Sequence, residues 1–195
     1  MTQQQQPRIG IVIGSTREGR FGDKPARWIH EIASQRTDLS FELIDLRDYP
    51  LPFFNEPMSP AIAPAKDEAA QRWADKLASV DGLILVTPEY NYGPAAVLKN
   101  ALDYAYKEFN HKPVGFVGYG GVGAARAVQQ LRLVTIALQM VPVARAVHIC
   151  MTEFLGVWQQ GKSFDDYPHL AQAANGLLDD MTWWAKALES KRGQG

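Results

Sequence analysis

Short apolar runs, each followed by turn-forming residues and then a helical pattern, recur along this chain and leave it few folds to choose from. Arg8-Ile9-Gly10-Ile11-Val12-Ile13 is one such run, stopped by Gly14. Residues 82–86 (GLILV), 114–119 (VGFVGY) and 141–149, broken early by Pro142, are others, and 41–45 (FELID) alternates. Continuous apolar runs of this length suit strands buried on both faces, as parallel sheets require. Between them apolar residues return at helical spacing. Trp28, Ile29, Ile32 and Ala33 do so after the first run; Ala65, Ala69, Trp73 and Leu77 after the second; Val97, Leu98, Ala101 and Leu102 after the third. Val128, Leu131, Val134 and Leu138 continue the pattern, and Leu170, Ala174, Leu177 and Met181 close it. Five strands alternating with five helices predict an α/β fold around a parallel sheet.

No internal repeat or domain-separating linker interrupts the pattern. Residues 8–190 therefore read as a single domain behind a disordered glutamine-rich tail, 1–7. A chain of 195 residues is long enough for a sizeable core. The expected first helix has Asp23 as N-cap and Pro25 in its first turn and runs to about Gln35. The second spans about 64–79, and 150–168 reads as turns. A formal net charge of −1 excludes a global field for nucleic acid or an anionic membrane. The single cysteine, Cys150, excludes an internal disulfide and cysteine-rich iron–sulfur ligation, and reads as a buried structural thiol. With no signal pattern and no apolar stretch near the ~18 residues that span a bilayer, the chain reads as cytoplasmic. Four scattered histidines offer no metal-ligand spacing.

A doubly wound five-stranded sheet commonly takes the order 2-1-3-4-5, with ligands between the carboxyl ends of strands 1 and 3. That places two unusual loops together. In the first, Ser15 and Thr16 offer hydroxyls, Arg17 and Arg20 offer charge, and Phe21 and Gly22 lead into a helix N-terminus, a natural phosphate site. Gly14 and Gly19 have Walker A spacing, but Arg20 and Phe21 stand where Lys and Ser/Thr are required, so a phosphomonoester is favoured over a nucleoside triphosphate. In the second, Pro88-Glu89-Tyr90-Asn91-Tyr92-Gly93 combines backbone amides with rings that suit a flat, hydrogen-bonding ligand. Glu89 stands without a second carboxylate, base or nucleophile close by in sequence. A third loop, 118–123 (GYGGVG), matches G-x-G-x-x-G, but no acidic residue follows about 20 residues later, as a Rossmann dinucleotide site needs.

These stretches resemble the NADPH-dependent FMN reductase family, flavodoxin-like flavoproteins. The resemblance rests on GSTREGR (14–20), PEYNYGPAAVLKNALDY (88–104) and the glycine turn at 118–123, with LIDLRDYPLPFFN (43–55) family-like as well. Tyr104 stands where many relatives carry Trp. The resemblance implies FMN held by Ser15, Thr16, Arg17, Arg20, Phe21 and Gly22 around its phosphate. It implies residues 88–93 on the isoalloxazine, and Gly120, Gly121 and Gly123 at the pyrimidine edge. It further implies NADPH or NADH as co-substrate and a small-molecule electron acceptor: flavin, quinone, azo compound or chromate. Ping-pong kinetics and a homodimer or homotetramer follow from the same resemblance. Flavin chemistry needs no catalytic side chain. A flavodoxin-type electron carrier and a flavin-free NAD(P) dehydrogenase remain the alternatives, the near-neutral charge counting against the first and the missing acidic residue against the second.

Overall fold

The computed structural model describes residues 6–192; the expected tail at 1–7 lies largely outside them. Three strands form the centre of the sheet: β1 (Arg8–Ile13), β3 (Gly82–Tyr90) and β5 (Pro113–Tyr119). Outside β1 lies β2 (Ser40–Asp45), and outside β5 lie two short strands, β6 (Val141–Pro142) and β7 (Val147–Ile149). All of these pair in parallel, in the order β2-β1-β3-β5-β6, with β7 also on β5. The expected order 2-1-3-4-5 is thus present, with its last strand split in two. Pro142 has no N–H to donate, and the carbonyls of Val143 and Ala144 turn to Arg132, at 2.5 and 2.9 Å, so the ladder lapses between 142 and 147.

Side-chain alternation decides which helix meets which face. Ile9, Ile11, Ile13, Ile84, Val86 and Val117 point to one side and pack against α1 (Asp23–Ser34) and α6 (Pro168–Arg192). Val12, Leu83, Leu85, Val114 and Phe116 point to the other. There they meet α2 (Glu68–Ala78), α3 (Ala96–Asp103) and α4 (Ala125–Ala137). Trp73 ties α2 to α3 by donating to the Ala101 carbonyl at 2.8 Å. Asn100, buried on α3, accepts from the Phe54 amide at 2.9 Å and donates to the Pro52 carbonyl at 2.7 Å, which orders the proline-rich connection.

Four local expectations change. Gly22 takes the N-cap position of α1, and Asp23 is its first residue, its carboxylate turned to Arg20. The second helix starts at Glu68, four residues late, because Asp67 caps it by accepting from the Ala70 amide at 3.0 Å. The stretch 150–168, expected as turns, contains a nine-residue helix, α5 (Met151–Gln159). Cys150 is exposed, not buried: it sits at the N-cap of α5, past the end of β7. Among the described residues no helix is long and apolar enough to cross a membrane.

Candidate active site

The strand order reverses between β1 and β3, and there the sheet opens. The Gly14 amide donates to the Val86 carbonyl at 2.8 Å, so the loop after β1 starts against β3. Pro88 on β3 is in register with Tyr119 at the end of β5. Residues 17–21, 88–90 and 119–120 therefore border one opening, a cavity of about 330 Å³.

Arg20 shapes the first loop. Its side chain is 2% exposed and its fork is fully engaged. It donates to the Ser15 carbonyl (2.6 Å), to Asp45 Oδ1 (2.7 Å) and to Asp23 Oδ1 (2.6 Å), with a further ion pair to Asp45 Oδ2. The Asp45 contact, reinforced by Asp23 and opposed by burial, raises the pKa of the guanidinium. Burial works against ionisation of Asp45 as well, but Arg20 and the Arg47 amide outweigh it and hold that carboxyl below its ordinary range. Expected at a phosphate, Arg20 has its donors on Ser15, Asp23 and Asp45, and these hold the loop to the end of β2. Arg17 is the opposite case. It is exposed beside the cavity, and among the described residues its guanidinium makes no hydrogen bond or ion pair, while Arg47 fixes its backbone at the carbonyl (2.6 Å).

The second segment is a hairpin and not a plain loop. The third strand continues through Pro88-Glu89-Tyr90 and returns as β4 (Gly93–Pro94), with Glu89 opposite Pro94 and Tyr90 opposite Gly93. The two turn residues both have positive φ, +49° at Asn91 and +72° at Tyr92, as a type I′ turn demands. Asn tolerates this well, but a tyrosine there is strained. Two contacts secure it: Gln130 donates to the Tyr92 carbonyl at 2.8 Å, and Arg126 lies over the Tyr92 ring at 3.8 Å. The Glu89 carboxylate accepts from the amides of Arg126 (3.1 Å) and Ala127 (3.4 Å) and pairs with the Arg126 guanidinium. It caps α4, a structural use.

Burial opposes ionisation of Glu89, yet Arg126 and the helix amides win and set its pKa below the usual glutamate range. A carboxyl depressed in the folded state stabilises above its unfolded pKa and stops doing so as pH falls through the folded one. Glu89→Gln is therefore expected to cost about 1 kcal/mol at pH 7, the worth of a good cap. The gap to wild type should narrow toward pH 4 and below. Urea titrations at both ends of that range check this; a gap independent of pH would show that the charge contributes nothing.

The third loop closes the site. Tyr119 is buried, and burial pushes its phenol pKa well up, so it stays a neutral hydrogen-bonding group. Ser15 Oγ lies 3.5 Å from the Tyr90 hydroxyl. Beyond Gly120 part of the wall is supplied by α5: Phe154 and Trp158 line the cavity together with Pro88 and Tyr90.

Of the residues expected from sequence, the cavity brings together Arg17, Arg20, Phe21, Pro88, Glu89, Tyr90 and Gly120. Ser15 and Gly22 lie behind it, Ser15 buried and Gly22 against the Tyr119 hydroxyl. Thr16 faces a neighbouring groove with Arg47 and Tyr49, and Asn91, Tyr92 and Gly93 belong to the hairpin's far end. Gly121 is exposed beside Met151, and Gly123 packs on His148. Glu18, Gly19, Tyr119, Phe154 and Trp158 also line the cavity and were not expected there. For the last two the signal was available, since aromatics four apart share one helix face.

The family model for NADPH-dependent FMN reductase matches residues 7–153. An NAD(P)H-dependent FMN reductase of Schizosaccharomyces pombe is 40% identical over 136 residues, covering 69% of this chain and 68% of that one. A 2-hydroxy-1,4-benzoquinone reductase of a Burkholderia species is 33% identical over 141 residues, 69% and 73% of the two chains. Among solved structures, a flavoenzyme NAD(P)H:(acceptor) oxidoreductase from Paracoccus denitrificans superposes with a TM-score of 0.71 at 23% identity, over 93% and 98% of the chains. Phe154 and Trp158 fall just beyond the matched region.

Proposed function

This chain belongs to the NADPH-dependent FMN reductase family, an NAD(P)H oxidoreductase that works through FMN, and we propose that the cavity at the strand-order reversal is where it does so. The observation that carries the placement is the unpaired Arg17 guanidinium. It stands on a loop rigidly held by Arg20 and Arg47, at a helix N-terminus that no side chain caps. A guanidinium without a protein partner among the described residues, on a loop leading into a helix N-terminus, fits a phosphomonoester. The backbone of 88–90 and Gly120, with Phe21 and Tyr119 behind, offers hydrogen bonds and apolar cover to a flat ring system.

Bound there, FMN supplies hydride acceptance from NAD(P)H and delivery of two electrons to an acceptor. The chain's own work is to bind, orient and exclude water. Arg17 holds the phosphate, Arg20 holds the loop that presents it, and the Glu89–Arg126 pair fixes the hairpin against α4. No side chain need move a proton at the reacting centre, so the absence of an acid–base pair is expected. A quinone-type acceptor, alternating with NAD(P)H, is supported by the quinone-reducing relatives. A homo-oligomeric state and a cytoplasmic place belong to the same proposal.

The test is spectroscopic. Protein given FMN and then desalted is expected to retain a flavin spectrum that anaerobic NADPH bleaches, and a quinone should restore it. Desalted protein without flavin absorbance would refute the placement.

A further inference from the structure

Four aromatic rings run from the interior to the surface on the α5 side of the cavity. Buried Tyr119 lies parallel to Phe154, 8° between planes and 6.4 Å between centroids. Phe21 meets Phe154 edge-on at 4.6 Å, and Phe154 meets Trp158 at 5.1 Å. Exposure rises along the series, from 5% at Tyr119 to 49% at Trp158. Trp158 lines the same opening as Tyr90, itself 40% exposed.

The helix that presents the rings is well held. Glu153 lies 3.2 Å from His169 on α6, and the Tyr167 hydroxyl donates to the Thr152 carbonyl at 3.4 Å. Phe154 packs against Phe21, Tyr119 and Trp158, which brace its ring. Trp158 presents an apolar, quadrupolar face on a rigid support. Such a face favours flat π-systems, by stacking and by the area it covers, and gives nothing to a compact anion.

We propose that Trp158, braced by Phe154, is the specificity-determining residue that selects planar aromatic acceptors, one- or two-ring quinones, at the mouth of the cavity. The inference rests on the placement of FMN chemistry in this cavity and goes beyond it. It assigns acceptor choice to a residue outside the family-matched segment.

The test uses binding as well as turnover. FMN-loaded oxidised protein, without reductant, is titrated with 1,4-naphthoquinone and the perturbation of the flavin absorbance is followed. Trp158→Ala is expected to raise the Kd roughly three- to tenfold, the scale of an aromatic pair, and Trp158→Phe to stay within about twofold of wild type. In steady state the KM for naphthoquinone should rise in the same proportion, while kcat/KM for ferricyanide, an octahedral anion with no ring to stack, stays unchanged. Unaltered naphthoquinone binding by Trp158→Ala in protein that retains FMN overturns the inference alone. An equal loss toward ferricyanide does the same, since it would mark general damage. A wild-type protein that holds no FMN overturns both the inference and the placement on which it rests.

Discussion

Arg20→Ala is expected to lower the free energy of unfolding by about 2–3 kcal/mol and to abolish retention of FMN through desalting. Removing one member of a buried ion pair ordinarily costs about 3–5 kcal/mol, because the partner charge stays buried and unpaired. Here the cost is reduced because Asp45 is 27% exposed and Asp23 38%, so water can reach both once the guanidinium is gone. The Ser15 carbonyl would also lose its donor at 2.6 Å. With Arg20 absent, the side-chain hydrogen bonds left between the loop and the end of β2 among the described residues are those of Arg47 to the carbonyls of Thr16 and Arg17. Lysine at 20 should recover little, since a point charge cannot reproduce a fork that serves three acceptors. Arg17→Ala provides the contrast. That side chain holds no part of the fold, so stability should be unchanged while FMN is held less tightly, by roughly 1–3 kcal/mol for a lost charge-assisted contact. Urea midpoints at constant m-value separate the two variants. Equal midpoints for Arg20→Ala and wild type would sink the assignment of Arg20 as the loop's anchor.

The pair of arginines shows where sequence reading reaches its limit. Both stand in GSTREGR, three residues apart, and composition gives no reason to treat them differently. What separates them is the position of Asp45, 25 residues away, which the β1–β2 register places opposite Ile13 and so beside the loop. Local features were legible: strand periodicity, the parallel class, the reversal between β1 and β3, and the loops that meet there. Features set by tertiary partners were not. Glu89 looked isolated because its partners, the amides of Arg126 and Ala127 and the Arg126 guanidinium, arrive from α4. Pro88-Glu89-Tyr90 looked like a loop because a proline and polar neighbours mask a strand whose far end pairs only with two residues, Gly93 and Pro94. The helix at Met151–Gln159 was hidden by β-branched and aromatic residues of weak helix propensity, which packing against the core overrides.

The glycine turn gives the second large effect. Gly123→Ala is expected to destabilise the fold by about 3 kcal/mol, and to do so whether or not a cofactor is present. Two independent penalties act there. The backbone has φ +61°, which costs alanine roughly 1 kcal/mol. An added Cβ would also stand 2.7 Å from His148 Cβ and 3.0 Å from its Cα, on strand β7, where overpacking adds about 1–3 kcal/mol. The neighbourhood cannot yield easily, because the Gly123 carbonyl is bonded to His148 Nδ1 at 2.7 Å and the Gly118 position is closed by that same carbonyl. Gly121 is built differently: it has no positive φ, and the nearest side-chain atom, Met151 Cε, lies at an ordinary 3.6 Å. Alanine there should leave the urea midpoint within about 0.5 kcal/mol of wild type. Two glycines two residues apart in one motif thus answer to different demands. Gly123 is fixed by the packing of the turn on β7, and only a site-directed effect can explain a requirement for glycine at 121. A Gly123→Ala protein as stable as wild type, by urea titration of the FMN-free form, would mean that the turn relaxes away from β7 and that its glycine answers to the cofactor after all.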